Sequence, residues 1–325
     1  MNILGIETSC DETAAAIVKD GRYVLSHVVA SSLKEHQKYG GIIPEIASRR
    51  QMELIQLVVE EALSKSSLTL SDVDALAVTS SPGLIGSLLV GLSYARALSY
   101  ATGKPLVEVN HIHAHLYANF LEFLANDKAS EKKVGKRPTL PAVGLVVSGG
   151  HTSLYYLKNF SSLSLLGQTR DDAAGEAFDK VARILNLGYP GGPVIDRLAQ
   201  TKRNTRLKFP VSELSNSFDF SFSGVKTAVL YHHRQHHQEK DFSAAEVAAA
   251  FQHNVVSALV EKSIQACLAK KVKTLLVGGG VAANSALRQS LVEEGRVKGI
   301  NVFFPPLTLC LDNAAMSAGL GFHLR

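Results

Sequence analysis

The chain has 325 residues, of which 46% are hydrophobic and 19% are charged, so its composition is that of a globular protein and its length favours two domains over one. No uncharged apolar run is long enough to cross a bilayer, and the acidic residues Glu7, Asp11 and Glu12 predict that no signal peptide is present. Three cysteines without a CxxC spacing exclude a disulfide framework and a thiolate zinc site, and a net charge of +5 is too small to identify a polyanion partner.

The first part of the chain is predicted to begin with a strand and a hairpin. Residues 2–8 form the strand, and the hairpin joins residues 13–19 to residues 22–30 through Asp20-Gly21, a strong signal for a type I′ turn. The elements predicted next are a helix over 44–63, a strand over 75–78, a helix that ends at residue 100 and a strand over 106–109.

A helix with three histidines is predicted over residues 111–124. Apolar side chains recur there at helical spacing, and Asn110 precedes the segment as a plausible N-cap. On a helix, His111 and His115 point within about 40° of each other and His113 points to about the opposite side. On a strand, all three would share one face and His113 would compete as a ligand.

The pair formed by His111 and His115 predicts a metal site. Two histidines at i, i+4 can bind one ion of the borderline class, and a third ligand must come from elsewhere in the chain. Asp312, at the start of the last predicted helix, is the candidate. In the alternative interpretation, the histidines are ordinary polar residues of a helix and Asp312 is an N-cap.

The second part of the chain repeats the order of the first, with three strands followed by helices that alternate with strands. Strands are predicted over 142–147, 151–157, 164–168, 274–277 and 300–304, and helices over 172–187, 224–233, 244–268, 284–293 and 312–324. Residues 126–138, rich in lysine, are predicted to be a solvated loop. We therefore expect a duplicated α/β fold with two lobes, residues 1–110 and 111–311, in which residues 312–325 pack back on the first lobe.

Three predicted strands each run into a small, polar turn that contains glycine. Such turns expose backbone N–H groups and admit a phosphate or a nucleoside, so a nucleotide is expected in a cleft between the two lobes. The three segments are 3–9, 143–150 and 275–280.

Further residues add to the prediction of a nucleotide site. Gly175 inside a predicted helix indicates the close approach of a ligand or of neighbouring backbone. Asp179 and Asp196 are candidates to accept hydrogen bonds from ribose hydroxyls. The alternative for such aspartates is N-capping and surface pairing, which we consider the better interpretation of Asp171 and Asp172.

Two other histidine interpretations are set aside. A zinc protease of the H-E-x-x-H type needs a glutamate directly after the first histidine, and Ile112 occupies that position. A second group, His232-His233 with His236-His237, also has i, i+4 spacing but lies in a charged stretch without a glycine turn. It is predicted to be an exposed helix end, at which any binding of metal would be adventitious.

Long, collinear motifs spread over nearly the whole chain resemble the tRNA N6-adenosine threonylcarbamoyltransferase family, formerly described as O-sialoglycoprotein endopeptidase. The motifs are GIETSCDET from Gly5, NHIHAH from Asn110, VSGGHT from Val147, DDAAGEAFDK from Asp171, YPGGP from Tyr189, FSFSGVKT from Phe220, GGVAAN from Gly279 and CLDN from Cys310. Family members commonly continue beyond the final helix, whereas this sequence ends at Arg325, and Leu311 stands where threonine is common.

The resemblance implies the actin-like ATPase fold of the sugar kinase, heat-shock chaperone and actin superfamily. It also implies an acyltransferase that moves the threonylcarbamoyl group from threonylcarbamoyl-adenylate to N6 of the adenosine 3′ of the anticodon, in tRNAs that read codons beginning with A, and releases AMP. Its partners would be tRNA, a small inactive paralogue and a P-loop ATPase, in the cytoplasm and without a membrane.

The resemblance also implies roles for individual residues. His111, His115 and Asp312 correspond to ligands of one divalent metal, usually described as iron, with zinc seen as well. The acidic residues Asp11 and Glu12 correspond to residues needed for activity. The phosphate and acyl region would be Val146, Val147, Ser148, Gly149 and Gly150, and the nucleoside contacts would be Asp179, Gly192, Asp196 and Asn284.

Two rival functions are kept at this point. A small-molecule kinase of the same superfamily would share the glycine turns but would not need His111, His115 and Asp312 around one metal. A non-catalytic nucleotide-binding scaffold would need neither feature. For RNA contacts, the candidates are Arg49-Arg50 and the basic stretch 202–208, with a solvated surface as the alternative for each.

Overall fold

The computed structural model describes residues 1–123, 136–202, 205–212, 214 and 217–325. The strands are β1 Asn2–Glu7, β2 Glu12–Lys19, β3 Tyr23–Ser31, β4 Ala75–Ser81, β5 Leu106–Asn110, β6 Glu122–Phe123, β7 Ala142–Val147, β8 Thr152–Asn159, β9 Ser162–Gln168, β10 Thr274–Gly278 and β11 Asn301–Phe303. The helices are α1 Leu33–Gln37, α2 Pro44–Ser66, α3 Ile85–Thr102, α4 His111–Tyr117, α5 Ala174–Ile184, α6 Gly191–Gln200, α7 Ser223–His236, α8 Ala244–Lys270, α9 Ser285–Lys298 and α10 Ala314–Leu324.

The chain divides into two compact units, and each has its own sheet. The first unit comprises Met1–Pro138 and Pro305–Arg325, and the second comprises Thr139–Phe304. Strand order in the first sheet is β5-β4-β1-β2-β3-β6, and in the second it is β11-β10-β7-β8-β9. Each sheet therefore has an antiparallel meander of three strands, extended by parallel strands on the side of its first strand. The duplicated α/β order predicted from the sequence is confirmed.

Both faces of the first sheet are covered. Successive side chains of a strand point to opposite faces, and along β1 the residues Leu4 and Ile6 join an apolar core with α2 residues such as Ile55 and Val58. Gly5 points the other way, where a Cβ atom would lie 2.2 Å from the backbone oxygen of Ala314 in α10. Helix α10 thus packs directly on β1, and a glycine is what permits that distance.

Local sequence signals place several elements as predicted. Asp20 and Gly21 both have positive φ, 53° and 68°, as the type I′ turn between β2 and β3 requires. Helix α2 begins at Pro44, because proline in the first turn costs no hydrogen bond. Helix α3 ends at Gly103, which adopts the left-handed conformation.

The histidine helix is shorter than predicted. It ends at Tyr117, a 3-10 turn follows over Ala118–Phe120, and β6 then pairs in parallel with β3. The Tyr117 hydroxyl donates to the Gly21 carbonyl at 2.7 Å, and Arg22 pairs with Glu122 at 2.7 Å, so tertiary contacts end the helix early. The prediction of helix up to residue 123 is wrong, and Leu124 lies outside the described residues.

Two other points differ from the prediction. Because α4 and β6 belong to the first unit, that unit continues to Pro138 rather than ending near residue 110. Helices α1 and α6 were not predicted. Most of the lysine-rich loop, residues 126–135, lies outside the described residues. Among the described residues, none of the helices combines the length and the apolar character that crossing a membrane requires.

Candidate metal centre and phosphate-binding turns

Two elements of the first unit bring His111, His115 and Asp312 together. Both histidines lie on α4, and Asp312 directly precedes the N-cap of α10. The Asp312 Oδ1 atom lies 3.1 Å from His115 Nε2 and 3.5 Å from His111 Nε2, and the two Nε2 atoms are 3.2 Å apart. One ligand atom from each residue lies within 4.8 Å of the others, a spacing that can hold one metal ion.

Asparagine side chains cap the two helices that position these ligands. The Asn110 Oδ1 atom accepts from the N–H groups of Ile112 and His113, so α4 begins at His111. The cap of α10 is Asn313, whose Oδ1 accepts from the N–H of Met316 at 3.0 Å. The alternative interpretation of Asp312 as the N-cap is therefore wrong, and its carboxylate is directed to the histidines instead.

Glu7 sets the orientation of His111. Its carboxylate is fully buried at the end of β1, and its Oε2 lies 3.3 Å from His111 Nδ1, beside the Ser9 hydroxyl, which lies 3.1 Å from the same nitrogen. The same carboxylate accepts from the Ser9 N–H at 2.6 Å and from the Thr79 hydroxyl, which leaves it as an acceptor toward the imidazole. A proton on Nδ1 then leaves the Nε2 lone pair pointing at the ligand cluster, which is the usual arrangement behind a metal-bound histidine.

The electrostatics of the cluster favour a cation. Burial alone would lower the pKa of His111, but the carboxylates of Asp312 and Glu7 outweigh it and raise that pKa to about 9. The pKa of His115 is lowered by burial and by the neighbouring His111. The buried site therefore accepts one positive charge but not two protonated imidazoles. A divalent metal held by two imidazoles and a carboxylate satisfies the same preference, and this donor set suits Zn²⁺ or Fe²⁺.

We expect Glu7→Gln to weaken metal binding by about 10- to 100-fold, because an amide cannot hold the Nδ1 proton of His111 as a carboxylate does. The metal content after dialysis against a graded series of chelator concentrations measures this. Glu108→Gln is the matched control, since Glu108 lies on the surface in an ion pair with Arg96. Equal metal retention by both variants would contradict the positioning role of Glu7.

Two acidic residues follow Glu7 in the same unit. They are Asp11, which directly precedes β2, and Glu12, the first residue of β2, and we call this segment the acidic loop. The buried side chain of Gln51 donates to the carbonyls of Cys10 at 3.0 Å and Glu12 at 2.9 Å, and the Ser32 hydroxyl donates to the Asp11 carbonyl at 2.7 Å. Burial, Asp312 and Asp11 raise the pKa of Glu12 to about 10. Glu12 therefore retains its proton at neutral pH.

In the second unit, the turn after β7 packs against the start of α5. The Gly175 N–H donates to the Ser148 carbonyl at 3.1 Å, and a Cβ atom on Gly175 would lie 2.5 Å from that oxygen. Gly175 is in the first turn of α5 rather than in the middle of a helix. The close approach inferred from the sequence is therefore to backbone. Gly279 has a φ of 92°, and a Cβ atom on it would lie 2.4 Å from the carbonyl oxygen of Val147.

Six glycines in or beside the predicted site of the second unit fall into two classes. At Gly175, Gly191 and Gly279 a Cβ atom would come within 3 Å of backbone, so packing alone explains them. At Gly149, Gly150 and Gly192 a Cβ atom would meet nothing within 4 Å, and their φ angles do not lie in the left-handed region. A Cβ clash and a left-handed φ thus do not explain the glycines of this second class.

The side chains of the predicted nucleoside residues Asp179, Asp196 and Asn284 bind the starts of α6 and α9. The Asp179 carboxylate accepts from the Gly191 N–H at 2.7 Å, and burial raises its pKa. Asp196 accepts from the Ser285 N–H at 3.1 Å and hydroxyl at 2.8 Å. Asn284 is the N-cap of α9 and accepts from the Leu287 N–H at 2.9 Å. These side chains hold two helix N-termini, whose N–H groups favour anions.

Asp171 and Asp172 have the structural roles that the alternative interpretation gave them. Asp171 accepts from the Phe222 N–H at 2.7 Å at the start of α7. Asp172 pairs with Lys180 at 2.7 Å and with Lys226 at 2.8 Å. The motif FSFSGVKT thereby ties α7 to the segment that leads into α5.

Sequence reasoning missed three parts of these sites: Glu7, Gln51 and the helix after Gly191. Glu7 was used only to argue against a signal peptide, although a carboxylate between an apolar strand and a serine turn is a signal for a buried polar role. Helix α6 was not predicted, although its start has a recognisable signal: Pro190 is its N-cap and Pro193 lies in its first turn, where proline is compatible with a helix.

Comparison with known proteins gives consistent results at the level of family. A family model described as tRNA N6-adenosine threonylcarbamoyltransferase matches residues 23–319. A protein of that name from Clostridium botulinum (strain Hall) is 52% identical over 318 residues, which cover 97% of this chain and 90% of the relative. Another from Syntrophus aciditrophicus (strain SB) is 50% identical over 325 residues, or 100% of this chain and 92% of the relative.

Solved structures agree with the fold. Component A of the (R)-2-hydroxyglutaryl-CoA dehydratase of Acidaminococcus fermentans superposes with a TM-score of 0.56 at 14% identity, covering 99% of this chain and 98% of that one. Full-length HypF in a phosphate- and nucleotide-bound form gives a TM-score of 0.62 at 13% identity, covering 99% of this chain and 46% of that one. At such identity the likeness concerns the fold alone, and it confirms the predicted actin-like ATPase fold.

Proposed function

Because the chain belongs to the tRNA N6-adenosine threonylcarbamoyltransferase family, we propose that it transfers a threonylcarbamoyl group to N6 of an adenosine in tRNA. The donor is threonylcarbamoyl-adenylate, and the acceptor is the adenosine 3′ of the anticodon in tRNAs that read codons beginning with A. The observation that carries the proposal is the 52% identity to a transferase of this name over nearly the full length of both chains. The rival kinase and scaffold functions are not favoured.

The metal centre of the proposed enzyme is formed by His111, His115 and Asp312, with Fe²⁺ as the resident ion and Zn²⁺ as the alternative. A bound ion would supply Lewis-acid stabilisation of the negative charge that develops as AMP leaves. Glu7 keeps the Nε2 of His111 available as a ligand, and burial of both imidazoles keeps competing water away from the ligand atoms. The cation preference of the cluster supports this assignment.

The donor binds to the second unit through its adenylate part. The turn formed by Val146, Val147, Ser148, Gly149 and Gly150 takes the phosphate and acyl region, and Asp179, Gly192, Asp196 and Asn284 take the nucleoside. The open space at Gly149, Gly150 and Gly192 supports this assignment, as do the two helix N-termini beside them. The N–H groups of the turn are placed to stabilise charge on the leaving phosphate.

We expect Gly192→Val to weaken adenylate binding without destabilising the fold. The new side chain would enter the space at the start of α6, where a Cβ atom has no protein atom within 4 Å, and would take room from a ligand. KM for the donor should rise by about 10-fold or more, since one misplaced contact in a ligand site costs 1–3 kcal/mol. Gly192→Ala should give a smaller rise, while the melting temperature of both variants stays close to that of the wild type.

Unchanged KM in the valine variant would remove Gly192 from the donor site. A large fall in melting temperature would instead mean that the backbone there needs glycine for conformational reasons. Gly175→Ala gives the opposite pattern and serves as the comparison, because its Cβ atom would collide with the Ser148 carbonyl. That variant should lose stability whether or not a ligand is present.

The transfer is a direct reaction between the amine and the donor, and it needs no covalent enzyme intermediate. The N6 amine attacks the carbonyl carbon of the donor, a new N–C bond forms, and the bond from that carbon to the phosphate oxygen of AMP breaks. The amine must give up one proton after attack, and the acidic loop provides the acceptor, Asp11 or Glu12. The raised pKa of Glu12 means that the pair must first lose a proton, which a nearby cation promotes.

We expect the double variant Asp11→Asn with Glu12→Gln to lower kcat by about 100-fold or more, since general-base catalysis contributes 10² to 10⁴. Metal content and donor binding should be retained, because neither side chain is among the proposed ligands. The single variants show which residue carries the effect. Full activity in the double variant, with metal bound, would exclude the acidic loop as the proton acceptor.

The tRNA and protein partners are further parts of the proposal. Arg50 is engaged with Glu53 at 2.7 Å, so Arg49 is the better phosphate contact of the pair on α2. In the basic stretch 202–208, positions 203 and 204 lie outside the described residues. Binding through these groups would weaken steeply with salt. We also propose a cytoplasmic location and partnership with a small inactive paralogue and a P-loop ATPase.

Reconstitution tests the function as a whole. The purified chain is combined with tRNA, threonine, bicarbonate, ATP, the enzyme that makes the donor and the two proposed partners, and modified adenosine is quantified by mass spectrometry after digestion of the tRNA. The expected product is threonylcarbamoyl-adenosine at the position 3′ of the anticodon. Phosphorylation of a small molecule without tRNA dependence would support the kinase alternative instead.

A further inference from the structure

Four histidines lie at the C-terminal end of α7, three in the helix and one directly after it, and the proposed transferase does not use them. His232 and His236 lie one turn apart, as do His233 and His237, which directly follows the helix. They belong to the second unit, whereas the candidate ligand set on α4 and before α10 belongs to the first. Imidazole is a preferred ligand for borderline transition metals, so the chemistry of this helix end calls for an explanation.

The two histidine pairs differ in geometry. The rings of His232 and His236 have centroids 4.6 Å apart and are tilted by 38°. The rings of His233 and His237 are 4.9 Å apart and nearly parallel, at 17°. The nitrogen lone pairs lie in the plane of each ring, so stacked rings direct them side by side, whereas tilted rings can direct them to one point. The tilt of the rings is therefore the feature that favours the first pair as a chelate over the second.

Neighbouring side chains orient His236 and His232 in a way that suits metal binding. Glu239 accepts from His236 Nδ1 at 2.8 Å, which leaves Nε2 as the nitrogen with a lone pair. The side chains of His236 and Glu239 are 39% and 53% exposed, so an ion from solvent can reach them. The His232 ring is held edge-on against Phe209 at 5.5 Å.

We propose that His232 and His236 form a second, surface site for one divalent transition metal ion of the Zn²⁺, Ni²⁺ or Cu²⁺ class, with Glu239 as the residue that orients His236. The ion would complete its coordination with water, since two imidazoles supply half of a four-ligand set. By linking two successive turns, it stabilises the C-terminal end of α7. This site differs from the metal centre on α4 in exposure and in ligand set, so the two sites can be tested separately.

The experiment is a Zn²⁺ titration of the metal-free full chain in competition with a chromogenic chelator, which gives the number and affinity of the sites. The wild type should bind one ion more than the variant His232→Ala with His236→Ala. The matched control, His233→Ala with His237→Ala, removes the same number of histidines from the same turns and should retain that ion. Glu239→Gln should weaken this site alone by about 10-fold.

Two outcomes would overturn the proposal. If the His232 and His236 double variant binds as many ions as the wild type, with equal affinity, there is no site at this pair. If both double variants lose the ion equally, the helix end binds metal without a defined chelate. His111→Ala should remove a different ion and leave the α7 site intact, so a failure of the proposed catalytic metal centre is distinguishable from a failure here. Circular dichroism of each variant checks that α7 remains folded.

Discussion

His111→Ala is expected to abolish nearly all transfer activity and to release the metal ion from the centre on α4. The substitution removes one of three converging ligands and also leaves the buried Glu7 carboxylate without the imidazole it faces. If the ion supplies about 4 kcal/mol of transition-state stabilisation, kcat falls by about 10³-fold. The measurement is the rate of threonylcarbamoyl-adenosine formation together with metal content by mass spectrometry.

His113, in the same helix, provides the control for this variant. His113 lies two residues away on the other side of α4, half-buried, and does not belong to the ligand set. His113→Ala should retain the metal and most of the activity, while His115→Ala and Asp312→Ala should behave like His111→Ala. Equal losses in all four variants would mean that α4 is needed for folding rather than for metal binding. Full activity of His111→Ala would reject the metal centre.

Acid should release the ion from the same centre, for a reason that the pKa of His111 makes specific. Without metal, Asp312 and Glu7 raise that pKa to about 9, so the imidazole holds a proton at neutral pH in the metal-free protein. Metal binding must displace that proton, and affinity therefore increases with pH up to about 9 and falls as the pH is lowered.

The order of the strands and the histidine pair could be predicted from the sequence because local signals determine them. Apolar runs, the Asp20-Gly21 turn and the Asn110 cap act over a few residues, and each appears where the pattern placed it. The spacing of His111 and His115 on a helix follows from the helical repeat alone. Even the early end of α4 did not disturb this pair, since both residues lie in its first turns.

Features that depend on contacts between distant residues could not be predicted in this way. The end of α4 is set by Tyr117 bonding to Gly21, far away in sequence. Asp312 was correctly placed beside the histidines, but the reason lies in Asn313, which takes the capping role and leaves the preceding carboxylate for the cluster. Glu7 acquires its role only when β1 and α4 meet. Sequence spacing cannot show such contacts, since they arise from packing.

The packing of α10 on β1 is what carries Asp312 to the histidines, and one glycine permits it. A Cβ atom on Gly5 would lie 2.2 Å from the Ala314 carbonyl and 2.8 Å from the Ala318 Cβ. These are backbone and short side-chain atoms, which cannot move aside by rotating. Any larger residue at position 5 must therefore push α10 away from the sheet, and Asp312, two residues before Ala314, must move with it.

We expect Gly5→Val to destabilise the first unit by about 3 kcal/mol or more, at the upper end of what overpacking costs, and to reduce metal affinity as well. Gly5→Ala should show both effects to a smaller degree. This pattern differs from that of His111→Ala, which should lose metal with less loss of stability. Melting temperature and chelator competition, measured on the same samples, separate the two cases. Gly41→Ala is the control, because a Cβ atom there meets nothing within 4 Å and should change neither quantity. A Gly5→Val variant with normal stability and normal metal affinity would show that α10 does not need this contact to deliver Asp312.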